Sequence, residues 1–162
     1  LQKSAKLETS VRYGSVVDIQ ANLGRAEKSQ LIGRDGEGAS LLMHAAQRGE
    51  TDVFCSVLGF LAEKLTPAEA SYRLGCVLAE FCAQDEDGQT PLLFAARSGS
   101  GAVFRQALEA LLDRATPEKV LQELTAKEKG DWTPLMAAAE SGSVECFHEV
   151  LRAISERGSE ER

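Results

Sequence analysis

Repetition in a fixed phase constrains this chain more than any other feature. Thr90-Pro91-Leu92-Leu93-Phe94-Ala95-Ala96-Arg97-Ser98-Gly99 recurs as Thr133-Pro134-Leu135-Met136-Ala137-Ala138-Ala139-Glu140-Ser141-Gly142. A looser copy stands upstream, Ser40-Leu41-Leu42-Met43-His44-Ala45-Ala46-Gln47-Arg48-Gly49. Each copy is a hydroxyl residue, a short apolar, alanine-rich segment and a glycine nine positions on. Such a unit cannot bury its apolar face alone, so its copies must stack.

A second segment follows each glycine. Apolar residues fall four, five, eight and nine positions past it: Val53, Phe54, Val57 and Leu58; Val103, Phe104, Ala107 and Leu108; Cys146, Phe147, Val150 and Leu151. That spacing is one stripe of an amphipathic helix. The same ruler laid on Gly14 finds a degenerate opening copy. Leu7, Ser10 and Val11 fall at first-helix positions and Ile19 and Leu23 at second-helix positions, with Asp18 and Asn22 polar. A more polar first unit suits the end of a stack, where one face meets water.

The starting residues Ala5, Ser40, Thr90 and Thr133 are 35, 50 and 43 residues apart. The extra length lies after the second helix, and both insertions open alike, Thr66-Pro67-Ala68-Glu69 and Thr116-Pro117-Glu118. Thr as N-cap with Pro in the first turn starts a helix, because the hydroxyl accepts an orphan N–H and Pro has none to waste. Val120, Leu121 and Leu124 then give an apolar face matched by Val77, Leu78 and Phe81, and Gly75 marks a possible break. All four prolines follow Thr, and no stretch alternates as a strand would. The connectors Gly33 to Gly38, Ala83 to Gln89 and Ala126 to Trp132 are small or polar and suit tight turns. The charged tail from Ser155 to Arg162 is expected to fray.

The residues from Ala83 to Leu92, followed by Ala95-Ala96 and Gly99, resemble the ankyrin repeat signature. Ala126 to Pro134, with Leu135, Ala138, Ala139 and Gly142, resembles it almost as well; the copy from Asp35 to Gly49 has Ser for Thr and lacks the Pro. The resemblance covers essentially the whole chain. It implies an all-α ankyrin-repeat solenoid in one domain, with repeats at approximately 1–32, 33–82, 83–125 and 126–158. The departures are the two long spacings, Met43, Leu93 and Met136 where the family usually has His, and Gly130-Asp131 in place of Asp87-Gly88. The last of these puts the turn geometry of the final finger in question. The insertions are expected as short helices on the convex or edge side.

Composition narrows the function. A formal charge of −7 argues against nucleic acid, whose binding needs a Lys/Arg-rich face, and leaves room for a basic partner. No apolar run approaches the roughly 18–20 residues of a membrane span. Cys55, Cys76, Cys82 and Cys146 form no Cys-x-x-Cys pair and lie far from His44 and His148, so reduced thiols packed as small hydrophobes are expected, with no metal or cofactor. An intracellular, cytoplasmic monomer is the expectation. A chain opening on Leu1 is expected to be an excised piece. No phosphate loop, nucleophile elbow or calcium loop is present, and the Asp85-Glu86-Asp87 run reads as a solvated turn; the chain is not expected to be an enzyme. His44 reads as a partly buried, hydrogen-bonded residue and His148 as solvated.

The resemblance instead implies a protein-interaction module whose concave face is built from finger tips and first helices. Mapped onto this chain, that face comprises Arg12 and Tyr13; Glu37, Gln47 and Arg48; Glu86, Asp87, Gln89, Arg97 and Ser98; Lys129, Asp131, Trp132, Glu140 and Ser141. Arg48, Arg97 and Trp132 are the expected anchors, since Trp and Arg dominate interface hot spots. A regulatory or targeting segment of a larger enzyme or channel is the alternative. A third reading is an array that continues beyond residue 162. His148, Glu149 and Arg152 argue against it by giving the last helix a polar face.

Overall fold

Hydroxyl N-caps start the first helix of each full unit. In the computed structural model, which describes residues 2–65 and 77–158, the Ser40 hydroxyl accepts the Met43 N–H at 3.2 Å, Thr90 accepts Leu93 at 3.3 Å and Thr133 accepts Met136 at 3.4 Å. The resulting helices are α4 (Leu41–Arg48), α7 (Pro91–Arg97) and α10 (Pro134–Glu140), the last two with Pro at the first position. Gly49, Gly99 and Gly142 then turn the chain at φ of 76°, 78° and 76°. That left-handed conformation suits glycine at a helix end. The partner helices are α5 (Thr51–Lys64), α8 (Gly101–Leu112) and α11 (Val144–Gly158). An opening pair, α1 (Gln2–Tyr13) and α2 (Val16–Arg25), precedes them.

The pairs stack in order. First helices pack as α1 on α4, α4 on α7 and α7 on α10, and second helices as α2 on α5, α5 on α8 and α8 on α11. Alanines at positions Ala45, Ala46, Ala95, Ala96, Ala137 and Ala138 are fully buried, which lets the first helices approach closely. Phe54 and Phe104 are fully buried as well, each worth roughly 1.5–3 kcal/mol against exposure. Leu7, Val11, Ile19 and Leu23 of the opening pair are buried, as the glycine ruler requires. Among the described residues there is no strand, and no helix is long and apolar enough to cross a membrane.

A third, short helix closes each of the first three units: α3 (Lys28–Leu31), α6 (Val77–Cys82) and α9 (Pro117–Thr125). Helix α9 starts where Thr116-Pro117 requires, with the Thr116 hydroxyl accepting the Lys119 N–H at 3.3 Å. Helix α9 packs on α11, α10 and α8, burying Val120 and Leu124 completely. Leu31, Phe81 and Leu124 hold the same place, four residues before Asp35, Asp85 and Glu128, and all three are buried. The opening unit therefore has the third helix too, in four residues whose sequence shows no periodicity. The Thr66-Pro67 helix start, Gly75 and Cys76 lie outside the described residues. The tail is helical through Gly158, so α11 extends three residues past Ser155.

Candidate protein-binding face

Three finger turns of one design project between the units. Each closes with a pair of backbone bonds: Asp35 N–H to Ala39 O and Gly38 N–H to Asp35 O, then Asp85 to Gln89 and Gly88 to Asp85, then Glu128 to Trp132 and Asp131 to Glu128, all 3.0–3.1 Å. The Asp35 carboxylate also accepts the Glu37 and Ala39 N–H groups at 2.9 and 2.8 Å, and Asp85 does the same for Asp87 and Gln89. The turn needs a left-handed residue at its fourth position. Gly38 and Gly88 supply it at φ 80° and 81°, and in the last finger Asp131 takes it at φ 63°. Asp tolerates that region through its short polar side chain, so the exchange of Gly-Asp for Asp-Gly leaves the turn intact.

The fingers are joined edge to edge. The Glu86 N–H donates to the Glu37 carbonyl at 2.9 Å, and the Lys129 N–H donates to the Asp87 carbonyl at 2.8 Å. Between the fingers and the first helices runs an open groove of about 530 Å³. Its walls include Arg12, Glu37, Gln47, Asp87, Gln89 and Arg97 from the expected face, together with Glu8, Asp35, His44, Asp85 and Phe94. A second shallow recess of about 500 Å³, bordered by Arg97, Trp132, Glu140 and Ser141, continues it towards the last finger. Arg97 is common to both.

The expected residues divide by what they already touch. Glu37, Gln47, Glu86, Asp87, Lys129, Asp131, Trp132 and Glu140 are exposed, Trp132 by 36% and with its indole edge close to Gly130. Arg12 is exposed, paired with Glu8 at 3.2 Å and set 5.2 Å over the Tyr13 ring, which is itself 73% exposed. Four residues are bonded within the fold. The Ser98 hydroxyl donates to the Ala95 carbonyl at 2.6 Å and accepts the Ser100 N–H at 3.2 Å, and Ser141 repeats both bonds with Ala138 and Ser143. Gln89 is buried and bonded to Asp85 and Arg97. Arg48 donates to the Val11 carbonyl at 3.1 Å and pairs with Glu50, tying α4 to the end of α1. Arg97 is partly committed, to Gln89 and, at 3.8 Å, to Glu128.

The sequence reading did not place Glu8, Asp35, His44 and Asp85 on this face. His44 is buried, with Nε2 at 2.9 Å from the Asp35 carboxylate and 3.6 Å from that of Glu8. Among the described residues this is the group that could offer three ligand atoms to a metal, all within 4.8 Å. Each already has a protein partner, and together they clamp α1, the first finger and α4. Burial by itself would push the Asp35 carboxyl up; the Ala39 and Glu37 N–H groups and His44 outweigh it and hold it below its ordinary value. His148 is exposed on α11, as its spacing suggests. Of the thiols, Cys146 is buried and donates to the Ala96 carbonyl at 3.3 Å, Cys82 is half-buried and Cys55 faces outward.

The stacked pairs, the repeated fingers and the glycine turns agree with a family model. The model for ankyrin repeats matches three copies across residues 10–158. The chain belongs to the ankyrin repeat family. Comparison with curated proteins returns no match, so no relative adds a function to that assignment. Ankyrin repeats generally act as protein-interaction modules and are typically non-catalytic.

Proposed function

We propose that this ankyrin array binds an extended segment of another protein along the groove between its fingers and first helices, and that the segment is basic. The observation carrying this is the balance of charge in the groove. Glu8, Asp35, Glu37, Asp85 and Asp87 supply five carboxylates against the two guanidiniums of Arg12 and Arg97. Both arginines are engaged by neighbours within the chain, whereas Glu37 and Asp87 at the tips are exposed and aimed outward. Lys or Arg side chains of a partner would find acceptors there, and opposite potentials would speed encounter. Trp132, at the far end, supplies the large rigid surface that interface anchors favour. Arg48 is left out as an anchor, and Ser98 and Ser141 are left out of the binding face, because their polar groups are occupied within the chain.

The test is fluorescence anisotropy with labelled extended peptides of matched length, one Lys/Arg-rich and one Glu-rich. The basic peptide should bind, weaken as salt rises, and lose about tenfold in affinity, roughly 1.4 kcal/mol, against Glu37→Lys, Asp87→Lys. Trp132→Ala should weaken it similarly with little change in melting temperature. Equal binding of both peptides, or of the doubly substituted protein, would sink the proposal.

A further inference from the structure

The last unit of the stack differs from the two before it, and the difference shows at matched positions. Met43 in α4 is fully buried and Leu93 in α7 is 3% exposed, because each is covered by the following unit; Met136, at the same place in α10, is 50% exposed. Leu108 in α8 is 9% exposed, and its counterpart Leu151 in α11 is 41% exposed. Val144 beside them is 70% exposed. The backbone repeats the pattern. A Cβ placed on Gly49 would meet Ser98 at 3.5 Å, one on Gly99 would meet Ser141 at 3.5 Å, and one on Gly142 would meet nothing within 4 Å.

The finger series is open at the same end. Each carbonyl at the third finger position receives the next finger's N–H, Glu37 from Glu86 and Asp87 from Lys129. Gly130 holds that position in the last finger, and among the described residues no backbone N–H donates to its carbonyl. On the last helix Glu149 points back to Arg105 on α8, at 2.6 Å, while His148 and Arg152 are exposed beside Val144 and Leu151.

We infer that the α10–α11 end of the stack is a docking surface for a further ankyrin-type repeat, finger included. The occupant follows from continuity with the interfaces already present. The apolar positions of Met136 and Leu151, the glycine and the finger carbonyl are those that the two preceding units offer their successors, at Met43, Leu58, Gly49 and Glu37 and at Leu93, Leu108, Gly99 and Asp87. A polar cap is what a solvated end requires, and Met136, Val144 and Leu151 are the reverse. A second copy joined end to end by a two-fold axis does not fit. Both surfaces would then offer the Gly130 carbonyl, while the Lys129 N–H is already used on Asp87.

The chain holds two methionines, Met43 and Met136, which gives a direct readout. One ankyrin repeat with its finger is joined to α11 in place of residues 159–162. The fusion should melt at least about 5 °C higher than the chain alone, as added nearest-neighbour contacts require. Peroxide oxidation of Met136 should slow at least about tenfold, with Met43 slow in both proteins. Met136→Lys, which replaces a half-exposed side chain and so leaves the chain folded by circular dichroism, should lose most of the melting gain in the fusion. Two results overturn the inference: a fusion with no melting gain and unprotected Met136, or a chain that sediments as a dimer and becomes a monomer on Met136→Lys.

Discussion

At the scale of single residues, Asp35 carries most of what the first finger needs. Its carboxylate holds two backbone N–H groups and the buried His44 ring, and its proton affinity is lowered below the ordinary 3.8 as a result. A carboxyl depressed on folding contributes stability that is present above its unfolded value, near pH 4, and is lost as pH falls through the folded value. Asp35→Asn keeps an oxygen for the N–H groups while removing the charge. The variant should melt lower at pH 7 and show a flatter loss of melting temperature in the acid range below about pH 4; parallel curves for the two proteins would contradict this role. The cysteines separate in the same way. Burial, then the nearby Glu145 and Glu149, push the Cys146 thiol up to about 11, and it lies wholly inside. A thiol reagent at pH 8 should label Cys55 in the native protein and reach Cys146 only after denaturation, as peptide mass mapping would show.

At the scale of elements, the third helices are held by charge as well as by packing. Arg34, three residues past α3, meets Glu80 of α6 through two bonds of 3.1 Å, with Glu80 buried and Arg34 about a third exposed. Burial raises the Glu80 carboxyl, and Arg34 offsets only part of it. A carboxyl raised on folding favours the folded state below its unfolded value, near 4.5, and that contribution fades as pH rises through the folded value, opposite in sign to Asp35. Glu80→Ala removes both bonds, leaving the guanidinium only the Ile32 and Gly33 carbonyls, and should cost about 1–2 kcal/mol in urea denaturation, with Glu80→Gln losing less. The helix pairs themselves were legible because Phe54, Phe104 and Phe147 recur at one distance from a glycine, a signal spread over the whole chain. Helix α3 was not, since four residues carry less than two turns of periodicity. The candidate face was legible in outline only. Ser98, Ser141 and Gln89 look variable and polar in the sequence, yet their hydrogen bonds turn inward, and nothing in residue type separates a turn-bonded serine from a partner-facing one. Glu8 and Asp35 reach the groove through contacts between different elements, which spacing cannot report.

At the scale of the whole molecule, stability is a sum over neighbours, so position in the stack sets what a side chain is worth. Phe104 and Phe147 hold the same place in successive units. Phe104 is fully buried in α8, flanked by α5 and α11, while Phe147 in α11 has a neighbour on one side and is only partly buried. Phe104→Ala opens a cavity bounded by two interfaces and should cost about 3–5 kcal/mol. Phe147→Ala should cost about 1–2 kcal/mol, since part of the ring already meets water. Urea midpoints of the two variants measure the difference. Equal losses would mean that the chain unfolds as one block with no dependence on place, and that stacking between adjacent units is not what holds it together.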